Sequence, residues 1–365
     1  VAGIGRAARN GILIKGGEYL ETSGKISAVA VDKTGTLTEG RPELTDVLVV
    51  DASLTELDVL TVAAAAEAGS EHPLARPILE AAYEQGVSPQ GFPQKITPVV
   101  GKGIVADVDE RQILIGNPAL LEQYGVTQSP LATESAEMFA AAGKTPMIVA
   151  VDQTVIGVVA VADTIRTDAA DMVARLHEAG VTKVVMLTGD TRLVAESIGH
   201  ATGIDEIHAS LLPEDKLDAV TKLQREGHTV AMVGDGVNDA PALATADIGV
   251  AMGAAGSGVA IETADIALMG DNLMKLPESI SLAKRTTRVM KQNIAIALAT
   301  VVLLLAGVFA GGVTMSLGML VHEGSVLVVI LNAMRLMRND KHGTALPKQQ
   351  RNVATRAEDS ASVAS

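Results

Sequence analysis

A few short segments carry residue types that could do chemistry together. Asp32-Lys33-Thr34-Gly35-Thr36-Leu37-Thr38 directly follows an apolar run, which presents the Asp32 carboxylate at a strand end with backbone N–H groups just after it. That arrangement suits a nucleophile facing phosphate. Gly234-Asp235-Gly236-Val237-Asn238-Asp239 follows another apolar run and sets two more carboxylates in a glycine-rich loop. Carboxylates without cysteine or histidine favour a hard cation, Mg2+, bridging to phosphate oxygens. Thr188-Gly189-Asp190 ends a third run, where it can hydrogen-bond a transferring phosphoryl group. Lys216, in Pro213-Glu214-Asp215-Lys216, supplies positive charge for that group. Together these residues make a phosphoaspartyl site.

Such a site needs elements that bring the loops together. Short apolar runs alternate with amphipathic stretches, the pattern of an α/β fold with a parallel sheet covered on both faces. The expected strands are Ile26–Val31, Met147–Val151, Val155–Val161, Lys183–Leu187, Thr229–Val233 and Ile248–Val250. Polar loops bearing Asp32, Asp163, Asp190 and Asp235 end several of these runs, and ligands of an open α/β sheet bind beyond strand carboxyl ends. These aspartates are therefore expected to converge.

Between Gly40 and about Thr145 the texture changes, with helices expected at Leu54–Ala68 and Leu74–Gln85 and short strands around Val99–Val108 and Gln112–Ile115. This reads as an inserted α+β domain. Near the C-terminus, Ile294 to Gly312 carries Thr300 as its only polar side chain, and the apolar Val313 to Leu331 follows almost at once. Each stretch is long enough for a transmembrane helix, with Gly311-Gly312 as the turn of a helical hairpin. Lys284, Arg285, Arg288 and Lys291 before it and Arg335, Arg338 and Lys341 after it put both ends in the cytoplasm. The expected organisation is the cytoplasmic end of a membrane helix and a linker over 1–25, a phosphorylation domain from 26–42 and 146–280, an insert at 43–145, the membrane hairpin within 284–338 and a disordered tail at 339–365.

Composition narrows the function classes. The 365 residues include 29 Lys+Arg and 43 Asp+Glu, a formal charge of −14, which repels polyphosphate backbones and argues against a nucleic-acid partner. With no cysteine there is neither a disulfide framework nor a thiolate metal site. Aromatic residues are 2% with no Trp, leaving few stacking platforms for bases.

The motifs DKTGTLT, TGD and GDGVNDAP, in this order and spacing, resemble the P-type ATPase signature within the haloacid-dehalogenase superfamily. The resemblance implies a haloacid-dehalogenase-like parallel sheet in which Asp32 is phosphorylated by ATP. It implies Mg2+ held by Asp32, the Thr34 carbonyl and Asp235, with Asn238 and Asp239 completing the metal and phosphate shell and Thr188 and Lys216 holding phosphate. Lys33, Gly189 and Asp190 belong to the same motifs. Phosphatases of the superfamily carry a second aspartate two residues after the nucleophile as acid/base; Thr34 stands there in this chain, so attack of water on the phosphoaspartate is expected to be slow.

Ser70-Glu71-His72-Pro73-Leu74 in the insert resembles the nucleotide-binding domain of the heavy-metal branch of that family, supported by Glu67, Gly101-Lys102-Gly103 and Gly116-Asn117-Pro118. The implied roles are adenine contact for His72, acceptance from its amino group for Glu67, close backbone approach at Gly101 and Gly103, and a ribose contact for Asn117.

Members also carry a Thr-Gly-Glu actuator loop and a Cys-Pro-Cys or Ser-Pro-Cys helix, which are not in this sequence. The expectation is a C-terminal portion whose partner is the N-terminal half of a pump. In the second apolar stretch, His322-Glu323-Gly324-Ser325 resembles the cobalt-type divalent-metal subgroup, with Met315 and Met319 on the same helix face. Imidazole with carboxylate suits Co, Zn, Fe, Ni or Cd ions better than Cu+. His322, Glu323 and Ser325 are thus the candidate ligands of a transported divalent metal. The rival readings are a membrane-tethered phosphatase of the superfamily and a non-transporting ATP-binding module of a split pump.

Overall fold

The structure is a computed structural model and describes residues 2–70, 72, 74–87, 93–235, 239–253, 262–270, 272–312 and 314–337. Among these residues thirteen strands form two sheets. In chain order they are β1 (Ile12–Ile14), β2 (Ala28–Asp32), β3 (Thr38–Val49), β4 (Lys95–Val99), β5 (Gly103–Val108), β6 (Arg111–Gly116), β7 (Thr145–Val151), β8 (Thr154–Ile165), β9 (Lys183–Leu187), β10 (Glu206–His208), β11 (Val230–Gly234), β12 (Ile248–Ala251) and β13 (Ile266–Leu268). The first sheet has the order β1-β13-β12-β11-β2-β9-β10 and is parallel except at β1. The second, β3-β8-β7-β6-β5-β4, is antiparallel throughout.

The central strands β2 and β11 are buried along their whole length, as a parallel strand covered on both faces must be. Helices Ala169–Glu178 and Arg192–Thr202 and the start of Lys275–Phe309 close one face with Met172, Leu176, Ile198 and Ile280. Pro213–Arg225 and Ala240–Thr245 close the other with Val220, Leu223 and Leu243. Each such fully buried side chain contributes about 1.5–3 kcal/mol. At the amino ends of the strands three aspartates act as staples. Asp205, Asp247 and Asp265 each stand just before a strand and accept a hydrogen bond from the neighbouring strand, from Val184 N–H (2.7 Å), Val230 N–H (2.8 Å) and Gly249 N–H (2.9 Å). They fix the register of the sheet that presents the opposite, carboxyl ends.

The chain leaves β2 for the second sheet along β3 and returns along β8. Helices Glu56–Glu67 and Ala75–Glu84 cover one face of that sheet with Leu60, Ala63 and Ile78. Pro118–Gln123 and Pro130–Ala141 cover the other with Leu120, Leu121 and Phe139. One expectation is corrected here: Met147–Val151 and Val155–Val161 lie in this antiparallel sheet, as β7 and β8, and not in the parallel one. Helices on both faces bury β8 continuously from Val155 to Val161, which removes the alternation that marks a half-exposed antiparallel strand.

Beyond Thr287 lies a separate compact unit. Among the described residues, Lys275–Phe309 and Met315–Met334 are the two helices long and apolar enough to cross a membrane, by length and composition. Gly311 turns between them at φ +70°, and Thr314 caps the second by accepting from Leu317 N–H. Asn332 donates through Nδ2 to Asn293 Oδ1 at 2.8 Å, joining the two helices at one end by a side-chain hydrogen bond. Arg338, Lys341 and the tail at 339–365 lie outside the described residues.

Candidate active site

Asp32 is the last residue of β2 and only 7% exposed. The chain then makes a wide turn over Lys33–Leu37, extended at Thr34 and left-handed at Gly35 (φ +70°), and Thr38 closes it by donating its N–H to the Lys33 carbonyl. Glycine suits the left-handed turn at Gly35, and Gly40, also left-handed, packs closely against it: a Cβ on Gly40 would come 3.0 Å from the Gly35 Cα. Lys216, from the first turn of Pro213–Arg225, donates to Asp32 Oδ1 (2.6 Å) and to Asp239 Oδ1 (2.7 Å). Burial, then the Asp239 charge, pushes the Asp32 pKa up to about 6 against the lowering effect of Lys216, with Asp235 adding to the rise. Burial works against the Lys216 ammonium, yet Asp32 and Asp239 outweigh it and hold its pKa above the ordinary lysine value.

Asp235, at the end of β11, faces the same turn: a Cβ on Gly35 would lie 3.6 Å from the Asp235 Cβ. Two carboxylates thus share one ammonium and a third, Asp235, adds its charge to Asp32, an excess of negative charge in a partly dehydrated site. An all-oxygen donor set of this kind fits Mg2+. Among the described residues no three imidazole or carboxylate groups already form a metal cluster, so backbone or phosphate oxygens and water would complete the shell. Thr34 is exposed. Asn238 lies outside the described residues.

Thr188, at the end of β9, is buried and donates through Oγ1 to Asp190 Oδ2 (3.2 Å), while the Asp190 N–H donates back to Thr188 Oγ1 (3.1 Å). Lys33 Nζ pairs with the same Asp190 oxygen at 2.5 Å. Gly189 is exposed between them, and a Cβ there would stand 3.3 Å from the Leu211 carbonyl. Asp32, Asp190 and Asp235 therefore converge as expected. Asp163 does not. It lies on β8, where Oδ2 accepts from Thr38 Oγ1 (2.5 Å) and Gly40 N–H (3.2 Å) and Oδ1 accepts from Arg41 N–H (3.1 Å). Arg166 Nε donates to the Thr38 carbonyl (3.0 Å), so Asp163 and Arg166 clamp the crossover between the sheets. Thr38 and Arg166 are not among the site residues expected from sequence; the third threonine of DKTGTLT was the available signal for the first of them.

The candidate nucleotide site lies on the second sheet's domain. Glu67, last residue of its helix, is 2% exposed, and its Oε2 is buried with no hydrogen-bond partner among the described residues. Burial pushes its pKa up to about 7, against a lowering hydrogen bond from Ser70. His72 is exposed and accepts from Leu74 N–H through Nδ1 (3.2 Å), which leaves the proton on Nε2. Glu71 and Pro73 lie outside the described residues. Two of these residues also have structural work. Gly103 is half-exposed, and a Cβ on it would come 2.1 Å from the Ile115 carbonyl, so its missing side chain serves strand packing. Asn117 already uses its side chain, capping Pro118–Gln123 by accepting from Leu120 N–H (3.1 Å) and donating to the Gly101 carbonyl (3.0 Å), so it shapes the loop. Gly101 itself is left-handed (φ +71°) and exposed.

In the other unit His322, Glu323 and Ser325 share helix Met315–Met334; His322 and Glu323 are exposed, and Ser325 Oγ donates to the His322 carbonyl (2.7 Å).

Residues 26–247 match the model of the haloacid dehalogenase-like hydrolases. A cadmium-transporting ATPase from Staphylococcus aureus is 42% identical over 340 residues, 93% of this chain and 47% of its own length. A zinc-exporting P-type ATPase from Mycobacterium marinum is 41% identical over 337 residues, 92% of this chain and 46% of its own. Among solved structures, a zinc-transporting PIB-type ATPase in its E2.Pi state is similar at a TM-score of 0.68 with 40% identity, covering 92% of this chain and 54% of that one. The chain spans about half the length of these relatives.

Proposed function

Because this chain belongs to the haloacid dehalogenase-like hydrolase family, and because it matches about half the length of metal-transporting P-type ATPases, we propose that it is the ATP-hydrolysing, C-terminal portion of a divalent-metal pump. The observation that carries this reading is the buried Asp32 carboxylate at the end of β2, held 2.6 Å from the Lys216 ammonium. With a pKa of about 6, Asp32 is ionised at neutral pH and is a competent nucleophile. One of its oxygens bonds to the γ-phosphorus of ATP, the bond from that phosphorus to the β,γ-bridging oxygen breaks, and ADP leaves with the electron pair. Lys216 and Thr188 offset the charge developing on the phosphoryl oxygens. Asp32, Asp235 and Asp239 are the carboxylates that would hold Mg2+, which when bound neutralises phosphate charge in the same step.

Glu67 supports ATP as the donor: its buried Oε2 has no hydrogen-bond partner among the described residues and could accept from the exocyclic amine of adenine. Thr34 in place of an acidic residue disfavours the phosphatase reading. His322, Glu323 and Ser325 are the ligands proposed for a transported divalent ion, with membrane lipid around their helix and the N-terminal half of the pump as partner. The relatives named above carry cadmium and zinc, which agrees with that donor set. The test is labelling by γ-radioactive ATP with Mg2+: the chain should take up acid-stable, hydroxylamine-sensitive phosphate, and Asp32→Asn should take up none. Persistent labelling of that variant overturns the assignment.

A further inference from the structure

Asp190 receives a bond from outside the parallel sheet's domain. Its Oδ2 holds Thr188 and Lys33, and its Oδ1 lies 3.4 Å from the hydroxyl of Thr145, the first residue of β7 in the nucleotide-binding domain. The neighbourhood of Thr145 is built to hold that position. Helix Pro130–Ala141 otherwise packs on its own sheet, yet Ala140 is buried in the core of the parallel sheet's domain together with Val194 and Ile198. Gly143 lies against Ser197, where a Cβ would stand 3.3 Å from Oγ, and its left-handed backbone (φ +79°) turns the chain toward Asp190. Gly143 N–H donates to the Ala140 carbonyl (2.9 Å) and Lys144 N–H to the Phe139 carbonyl (3.0 Å), which finishes the helix and fixes where Thr145 begins. Lys144 is pinned in turn by Asp46, 2.5 Å away on β3. The six residues from Ala140 to Thr145 thus form a foot of one domain planted on the other, and its tip touches the aspartate that holds Lys33.

We propose that Thr145 is a positioning residue for phosphoryl transfer: through Asp190 it fixes the side chain of Lys33, the residue that follows Asp32 in the catalytic turn, so that seating of the nucleotide-binding domain is read at that turn. The proposal rests on the phosphorylation reading above for its kinetic consequence, though not for the contact itself. A misplacement of about 1 Å at a reacting centre costs up to about a hundredfold in rate, and a lost contact one residue removed from the chemistry should cost less.

The experiment compares Thr145→Val and Thr145→Ser with wild type in the full chain. Thr145→Val keeps the shape and removes the donor; Thr145→Ser keeps the donor. Expected for Thr145→Val is a phosphorylation rate at saturating ATP about tenfold below wild type with ATP affinity by calorimetry unchanged, and Thr145→Ser should restore the rate. A wild-type rate in Thr145→Val, or a loss confined to ATP affinity, overturns the proposal. Hydrogen exchange of the Lys33–Thr38 amides gives a second readout that needs no turnover. It should quicken in Thr145→Val and not in Thr145→Ser, and unchanged exchange in Thr145→Val overturns the proposal too. If the wild-type chain takes no label from ATP, the phosphorylation reading fails on its own, and exchange alone then decides whether Thr145 holds the catalytic turn.

Discussion

Glu67 offers a test in which folding and nucleotide binding pull in opposite directions. Burial raises its pKa from 4.5 to about 7, so the folded chain holds a proton there that the unfolded chain has released. Stability from this group is therefore fully present below pH 4.5 and is lost as pH rises to about 7. The loss amounts to about 3 kcal/mol at pH 8, worked from the shift and the free energy of one pKa unit. Glu67→Gln removes the ionisation and keeps an acceptor of the same shape. It should match wild type near pH 4.5 and exceed it by about 3 kcal/mol at pH 8, read by denaturant unfolding followed by circular dichroism, the signal suited to a chain with no Trp and only three Tyr. ATP affinity should move the other way. A hydrogen bond to a charged acceptor is worth about 1.5–3 kcal/mol against about 1 for a neutral one, so the variant should bind ATP roughly fivefold to tenfold more weakly at pH 8. Adenine donating to the carboxylate also favours its charged form, so wild type should release a proton on binding ATP near pH 6, visible as a buffer-dependent heat, and the variant should not. Parallel stability curves for the two proteins from pH 4.5 to 8 would refute this account of Glu67.

Three further outcomes follow from the geometry. Gly103→Ala should unfold or severely destabilise the nucleotide-binding domain, because its Cβ meets the Ile115 carbonyl at 2.1 Å, whereas Gly101→Ala meets nothing closer than 4.0 Å and should cost about 1–2 kcal/mol for its left-handed backbone; thermal unfolding ranks the two. Lys216→Ala leaves Asp32 and Asp239 buried together without their shared ammonium and should cost about 3–5 kcal/mol in chemical unfolding along with all phosphorylation; a near-wild-type midpoint contradicts the clamp. In a pump assembled with its N-terminal half, His322→Ala and Glu323→Ala should each abolish metal-stimulated ATPase while phosphorylation from inorganic phosphate persists, and retained stimulation in both variants removes them from the metal site.

The parallel sheet's site was legible because its chemistry is local. Asp32, Thr188, Asp190 and Asp235 each end an unbroken apolar strand, and such a strand end has few other uses in an open sheet. Asp205, Asp247 and Asp265 carried no expectation in the sequence: they precede strands and staple register, a role that only pairing reveals. Asp163 was misplaced for a related reason: β8 is apolar on both faces like a parallel strand, so its sheet could not be told from periodicity. Asn117 and Gly103 showed the right residue types for a ligand loop, but the contacts that occupy them, to Leu120, Gly101 and Ile115, come from strands and turns brought together only by the fold.

The edge of the parallel sheet has a consequence for how the chain is made. β1, within the first fifteen residues, pairs with β13, and the face behind them is finished by Leu276 and Ile280 from a helix that continues as the first apolar span. The domain's core therefore stays open on that side until nearly all of its sequence has been synthesised. The roughly 25 residues between Leu268 and Ile294 take about 1–5 s to add at about 5–20 residues per second. Closure of the sheet and delivery of the first apolar span to the insertion machinery thus fall within seconds of each other. A ribosomal pause once Ile280 has left the exit tunnel would let the domain finish first, whereas rapid passage would commit the span while Ile12 to Ile14 still lack their partner strand.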